Sequence, residues 1–149
     1  MPWTDLLPNG TLGHTGVPGD DLEAVAVITA HERSILGEDR TTMDTYVTDK
    51  GEPDFEAERD GAFVVADDGA LLALAQFRSR PPHVNSWTQA WVHPDHVGRG
   101  IGSALISWAE GLGRRSVDRA PDGTRVSMSM GANEGNDRAR RLYAAHGYE

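Results

Sequence analysis

The chain has 149 residues, 38% hydrophobic and 25% charged, a length and balance that suit one globular domain with a sizeable core. Its 14 basic and 23 acidic side chains give a formal net charge of −9, which argues against general nucleic-acid binding. Cysteine is absent, which removes disulfide frameworks, thiol nucleophiles and thiolate metal sites, and no apolar run approaches the roughly eighteen residues that span a bilayer. The start MPWTDLLPNG lacks the basic and apolar segments of a signal peptide, so a soluble cytoplasmic protein with no membrane partner is expected.

Residues 1 to 19 are rich in Gly and Pro, with one short strand expected near Thr11 to Val17. Asp20 reads as an N-cap, with Glu23 three residues on, ahead of Leu22, Val25, Ile28, Thr29, Ile35 and Leu36 at helical spacing. Gly37 is the expected stop. A second, shorter helix is expected from Thr41 or Thr42 to Thr48, and the polar stretch Asp49 to Gly61 reads as loop. Ala62 to Ala66 and Ala70 to Phe77 are strand-like runs around the turn Asp67-Asp68-Gly69, and Pro81-Pro82 stops the second. Asn85 to Val92 is the next expected strand.

That strand delivers the chain to Gly98, Gly100 and Gly102, which alternate with Arg99 and Ile101. A backbone so written can take positive φ and approach a bound group without Cβ atoms in the way. From Ile101 the period changes, with Ile101, Ala104, Leu105, Trp108 and Leu112 on one face of a helix. The loop therefore opens into a helix N-terminus, where unpaired N–H groups and the helix dipole favour an anion, phosphate above all. A dinucleotide fingerprint would need glycine at Ser103, and a P-loop would need Gly-Lys-Ser/Thr, whereas the only lysine is Lys50. Further on, Asp118 to Gly123 is a turn cluster, and Thr124 to Gly131 alternates Val126, Met128 and Met130 against Arg125, Ser127 and Ser129, a strand with one buried face. The last helix runs Asn136 to His146, with Asn136 as N-cap and Gly147 as stop.

Charge divides along the chain. Residues 1 to 97 carry six basic and seventeen acidic side chains, a sum of −11, and residues 98 to 148 carry eight arginines and five acids, a sum of +3. An Arg-rich half that begins at the glycine loop suits a ligand with several phosphates, and an acidic half suits a cationic acceptor; charge that decorates solvated faces accounts for the same numbers.

The pattern V-x-P-x-x-x-G-x-G-x-G, written by Val92, Pro94, Gly98, Gly100 and Gly102, resembles the acyl-CoA loop of the GCN5-related N-acetyltransferases, the GNAT family. The family's usual Gln or Arg is Val97 here. The stretch NDRARRLYAAHGY is similar to the family's N-x-x-A-x-x-L-Y-x-x-x-G-F signature, with Tyr148 in place of Phe. The two signatures stand in family order over roughly the last third of the chain. The resemblance implies an α/β (α+β) fold, a mixed and mostly antiparallel sheet flanked by helices, over residues 1 to 149 as a single domain. It also implies C-terminal strands missing beyond Glu149, either because the sequence is the first part of a tandem protein or because a partner supplies the edge. A homodimer or a second GNAT domain are the partners expected on that ground, together with poor solubility of an unfilled edge.

The resemblance further implies acetyl-CoA as acyl donor, with no metal. Its pyrophosphate is expected on the amides of Val97, Gly98, Arg99, Gly100, Ile101, Gly102 and Ser103, its pantetheine along Ala90 to Val92, and a backbone N–H of Trp91 or Val92 at the thioester carbonyl. Tyr143 is the expected general acid for the departing sulfur, since a phenol with pKa of about 10 is protonated at neutral pH. Asn136 is expected to cap its helix and to bond the pantetheine. No carboxylate stands on the strand from Asn85 to Val92, which leaves His31, Glu32, His83 or a water chain as base. The implied function is transfer of acetyl from acetyl-CoA to a primary amine on a small molecule or peptide; the alternative is a non-catalytic acyl-CoA-binding domain.

Overall fold

Every strand pairs with its neighbour in sequence, giving one five-stranded sheet of order β1-β2-β3-β4-β5. The computed structural model describes residues 2–149. The strands are β1 (Thr11–Thr15), β2 (Gly61–Ala66), β3 (Leu71–Ser79), β4 (Asn85–Val92) and β5 (Ser127–Met130). The first four pair antiparallel, and β5 lies parallel to β4, so the sheet is mixed and mostly antiparallel as expected.

Two helices cover one face and one long helix covers the other. Helix α1 (Asp21–Leu36) starts at Asp20, whose carboxylate accepts from the N–H groups of Leu22 and Glu23, and stops at Gly37 in the left-handed conformation. Helix α2 (Met43–Lys50) starts at Thr42, which exchanges side-chain and backbone hydrogen bonds with Thr45 in a reciprocal cap. Ala24, Val27 and Ile28 of α1 and Tyr46 of α2 pack on Leu71 and Leu74 of β3. On the opposite face α4 (Ile101–Arg119) buries Ile101, Leu105, Trp108, Ala109 and Leu112 against Ala62, Val64, Ala73, Ala75 and Phe77. β3 is therefore covered on both sides, which explains its continuous run of apolar residues from Leu71 to Ala75.

Two expectations change, and the last helix stands apart from the core. The polar stretch after α2 contains one helical turn, α3 (Ala57–Asp60), held where the buried Asp60 carboxylate accepts from the Glu56 N–H and the Arg59 guanidinium. β5 covers four residues rather than the eight of Thr124 to Gly131: a turn closed by the Thr124 N–H on the Pro121 carbonyl precedes it, and pairing with β4 runs only from Ser127 opposite Asn85 to Met130 opposite Thr88. The last helix, α5 (Asp137–Ala145), has its apolar positions only half-buried and contributes no buried residue; it closes over a cleft instead of entering the core.

Candidate active site

The cleft begins where two paired strands part. β4 and β5 stay in register from Asn85 opposite Ser127 to Thr88 opposite Met130, and the last bond between them runs from the Gly131 N–H to the Thr88 carbonyl at 2.8 Å. Beyond that point Ala90 to Val92 continue along β3, and among the described residues no strand pairs with them on their other side. The direction of each backbone group there follows from the antiparallel ladder. The His93 N–H donates to the Leu72 carbonyl at 2.8 Å, and antiparallel pairs alternate between bonded and non-bonded. Gln89 and Trp91 therefore spend their N–H groups on β3, and those of Ala90 and Val92 face the gap. This corrects the expectation for Trp91: its N–H belongs to the ladder, and its ring packs on the α1–α2 side of the sheet.

The glycine loop forms one end of the gap. Gly98 and Gly100 have φ of 79° and 91°, and Gly100 is the N-cap of α4 without any side-chain cap. The first N–H of α4 bonded within the helix is that of Ala104, which donates to the Gly100 carbonyl, so the amides of Ile101, Gly102 and Ser103 present themselves outward. Gly102 serves packing: a Cβ there would come within 3.0 Å of Leu142 Cδ2 of α5. Across the loop, Arg138 Nη1 lies 3.2 Å from where a Cβ on Gly98 would stand. An uncapped nineteen-residue helix, two left-handed glycines and a guanidinium thus converge on one anion-sized place.

Val92, Val97, Gly98, Gly100, Ile101, Gly102, Ser103 and Asn136 all border the resulting cavity of about 530 Å³. Arg99 does not. Its guanidinium stands 3.0 Å from His96 Nδ1 on the exposed side of the loop, so its side chain turns away from the cleft. The guanidiniums that do reach it belong to Arg138 and Arg141, which sequence reasoning passed over; their spacing of three on α5, beside Leu142 and Tyr143, was the available signal.

Tyr143 reaches into the same cavity from α5. Its hydroxyl donates to the Gly131 carbonyl at 2.7 Å, which sets it level with the end of β5. Burial pushes its pKa above the ordinary phenol value, so it holds its proton at neutral pH. Asn136 caps α5 by accepting the Ala139 N–H at 3.1 Å and borders the cavity next to it. A Cβ on Gly131 would meet the end of the Gln89 side chain, which would have to turn aside.

The three base candidates separate by their surroundings. His31 is buried on α1 and lines the cleft, with Nδ1 3.1 Å from the Val92 carbonyl. That bond places the proton on Nδ1 and leaves the Nε2 lone pair free. Burial lowers its pKa, and the hydrogen bond to Val92 and the neighbouring Glu32 oppose the shift without reversing it. Glu32 is buried elsewhere: it accepts from the N–H groups of Arg40 and Thr41 and from the Thr41 hydroxyl, and so anchors the α1–α2 connection. His83 sits at φ 65° in the turn before β4, its Nδ1 2.8 Å from the Ser79 hydroxyl, and does not border this cavity.

The model of the acetyltransferase (GNAT) family matches residues 24–148. A GCN5-related N-acetyltransferase from Sphaerobacter thermophilus superposes with a TM-score of 0.86 at 25% identity, over 96% of this chain and 44% of that one, so the present chain spans less than half of that protein. The structure of yncA from Salmonella typhimurium, determined with its cofactor acetyl-CoA, matches with a TM-score of 0.63 at 20% identity over 95% of this chain and 80% of that one. The ribosomal-protein-S18-alanine N-acetyltransferase from Escherichia coli matches with a TM-score of 0.62 at 17% identity over 93% and 77%. No curated protein matches the chain in sequence. Because the family model matches residues 24–148, well over half of its length, the chain belongs to the GNAT acetyltransferase family.

Proposed function

We propose that this chain is one acetyltransferase domain that moves an acetyl group from acetyl-CoA to a primary amine by direct attack of the amine on the thioester. The observation that carries the reading is a juxtaposition in the cleft. The Tyr143 hydroxyl stands level with the last β4–β5 bond, and the next cleft-facing N–H along β4 is that of Ala90. A proton donor and an oxyanion donor thereby face one short stretch of the gap.

Each residue has a defined task. The amides of Ile101, Gly102 and Ser103, with Arg138, hold the pyrophosphate, and the free strand edge from Ala90 to Val92 orders the pantetheine arm. The Ala90 N–H meets the negative charge that grows on the carbonyl oxygen as the nitrogen–carbon bond forms, and because that charge is absent from the ground state, the contact lowers the barrier. The carbon–sulfur bond then breaks, and Tyr143 gives its proton to the sulfur, recovering one from solvent. His31 Nε2 takes the surplus proton of the attacking nitrogen, directly or through one water, and releases it to solvent. The balance is amine plus thioester in, amide plus thiol out.

The test is release of the CoA thiol by the purified chain on a broad panel of primary amines. Turnover well above the uncatalysed rate is expected. Acetyl-CoA binding without turnover on any amine would leave a binding module and overturn the transfer reading.

A further inference from the structure

A second cavity of about 390 Å³ opens on the side of the sheet away from α4, bordered by Trp87 and Trp91, and Gln89, between those two on β4, borders the acetyl-CoA cleft. Arg78 pairs with Trp87 and Gln76 with Gln89 across the β3–β4 ladder, so these four side chains and Trp91 share one sheet face. Asp49 and Glu52, from the end of α2 and the loop after it, with Arg80 and Asn85, complete the lining.

Arg78 is the unusual group. Its guanidinium lies over the Phe55 ring at 4.3 Å and donates to Gln76 Oε1 at 2.8 Å. Among the described residues no carboxylate stands within ion-pair distance of it, although Arg80, two residues on, is held by Glu52 at 2.8 Å. Burial lowers its pKa, and the more distant Asp49 and Glu52 carboxylates oppose the shift without reversing it. A half-buried planar cation, flattened on an aromatic ring and holding only a neutral oxygen, keeps most of its five donors for something else. A carboxylate is the anion that matches such a fork. The cavity also carries Asp49, which among the described residues has no ion-pair partner, so its lining is of mixed charge, which disfavours a dianion and leaves a single carboxylate as the group that matches Arg78. Trp87, 45% exposed, and Trp91 supply an apolar wall.

We propose that the acceptor is a free α-amino acid with an apolar side chain, its carboxylate on Arg78, its side chain against Trp87 and Trp91, and its amine directed past Gln89 to the thioester. The inference rests on the acetyl-transfer reading for its chemistry and on Arg78 for its specificity. The span fits: the Arg78–Trp87 pair and the Gln76–Gln89 pair are two residues apart, about 6.8 Å along the strands, which a guanidinium-bound carboxylate and its α-amine bridge.

The experiment compares kcat/KM for phenylalanine, tryptophan and methionine with that for phenethylamine and tryptamine, which lack only the carboxylate. The parent chain is expected to prefer the amino acids by about 100-fold, since an unfilled fork leaves buried donors unpaired. In Arg78→Met the ratio is expected to fall to about threefold or less, and Arg78→Lys to recover part of it; an unchanged acetyl-CoA-induced rise in Tm shows that each variant folds. Equal turnover of acids and amines, or a preference that survives Arg78→Met, overturns the amino-acid assignment and leaves acetyl transfer standing. No turnover of any acceptor, with tryptophan fluorescence still reporting Arg78-dependent amino-acid binding, keeps the assignment and overturns transfer. Neither turnover nor binding overturns both.

Discussion

Replacing Tyr143 with Phe removes one oxygen and separates two roles for that residue by size. The hydroxyl donates a single half-buried hydrogen bond, to the Gly131 carbonyl at 2.7 Å. Its structural worth is about 0.5–1.5 kcal/mol, which for a chain of this length lowers Tm by a few degrees, roughly 1–6 °C. A general acid contributes roughly 10²–10⁴ in rate, about 3–5 kcal/mol at 1.36 kcal/mol per decade. The ring remains, so the cleft keeps its shape and acetyl-CoA affinity is expected to stay within about threefold. The measurement is kcat by thiol release, with acetyl-CoA affinity by calorimetry and Tm on the same protein. A kcat lower by about 100-fold or more with affinity kept is the expected result. A kcat within about fivefold of the parent, alongside the small Tm loss, would refute the assignment and make Tyr143 a brace for the end of β5.

Gly100 has φ of 91° and nothing within 4 Å of a built Cβ, so Gly100→Ala isolates the backbone cost of the left-handed conformation. A loss of about 1–2 kcal/mol in denaturant unfolding is expected, with acetyl-CoA bound about tenfold more weakly as the α4 amides lose their aim; unaltered affinity in calorimetry would count against the loop as the phosphate site. Burial holds the His31 pKa below its ordinary 6.5, so kcat/KM is expected to rise as pH climbs through that depressed value and to level off above it, and His31→Gln to lose this acid limb. The same shift has a stability counterpart. The unfolded chain binds the proton at about 6.5 and the native one only lower, so the contribution of a neutral His31 is complete above pH 6.5 and is lost as pH falls through the native pKa. Thermal melts between pH 5 and 7.5 on the parent and His31→Gln chains check it; parallel curves would show that His31 does not titrate as described.

What could be read in the sequence was whatever acts over a few residues. Asp20, Thr42 and Asn136 accept from N–H groups two or three positions on, so helix starts were visible in the text, and Gly37 stops α1 by a conformation that belongs to one residue. The glycine alternation from Gly98 to Gly102 and the change of period at Ile101 likewise made a strand, an anion loop and a helix out of one short run. Tyr143 was singled out only by the resemblance of its stretch to a family signature, since helical spacing placed it on a face with Ala139 and Leu142 and gave it no task.

Tertiary structure decided the rest, because strand pairing is non-local and its parity assigns every side chain and every N–H at once. Only the β3–β4 register turns Ala90 and Val92 toward the gap and spends Trp91 on the ladder, and only it puts Arg78 opposite Trp87 in the second cavity. The choice of Arg138 over Arg99 at the loop, and of Glu32 as an anchor where His31 faces the cleft, depends on how α5 and α1 lean on the sheet. Local sequence thus determined that this chain carries a glycine-rich turn at the head of a helix; the pairing of distant strands determined which atoms of its own backbone and side chains face the cleft beside it.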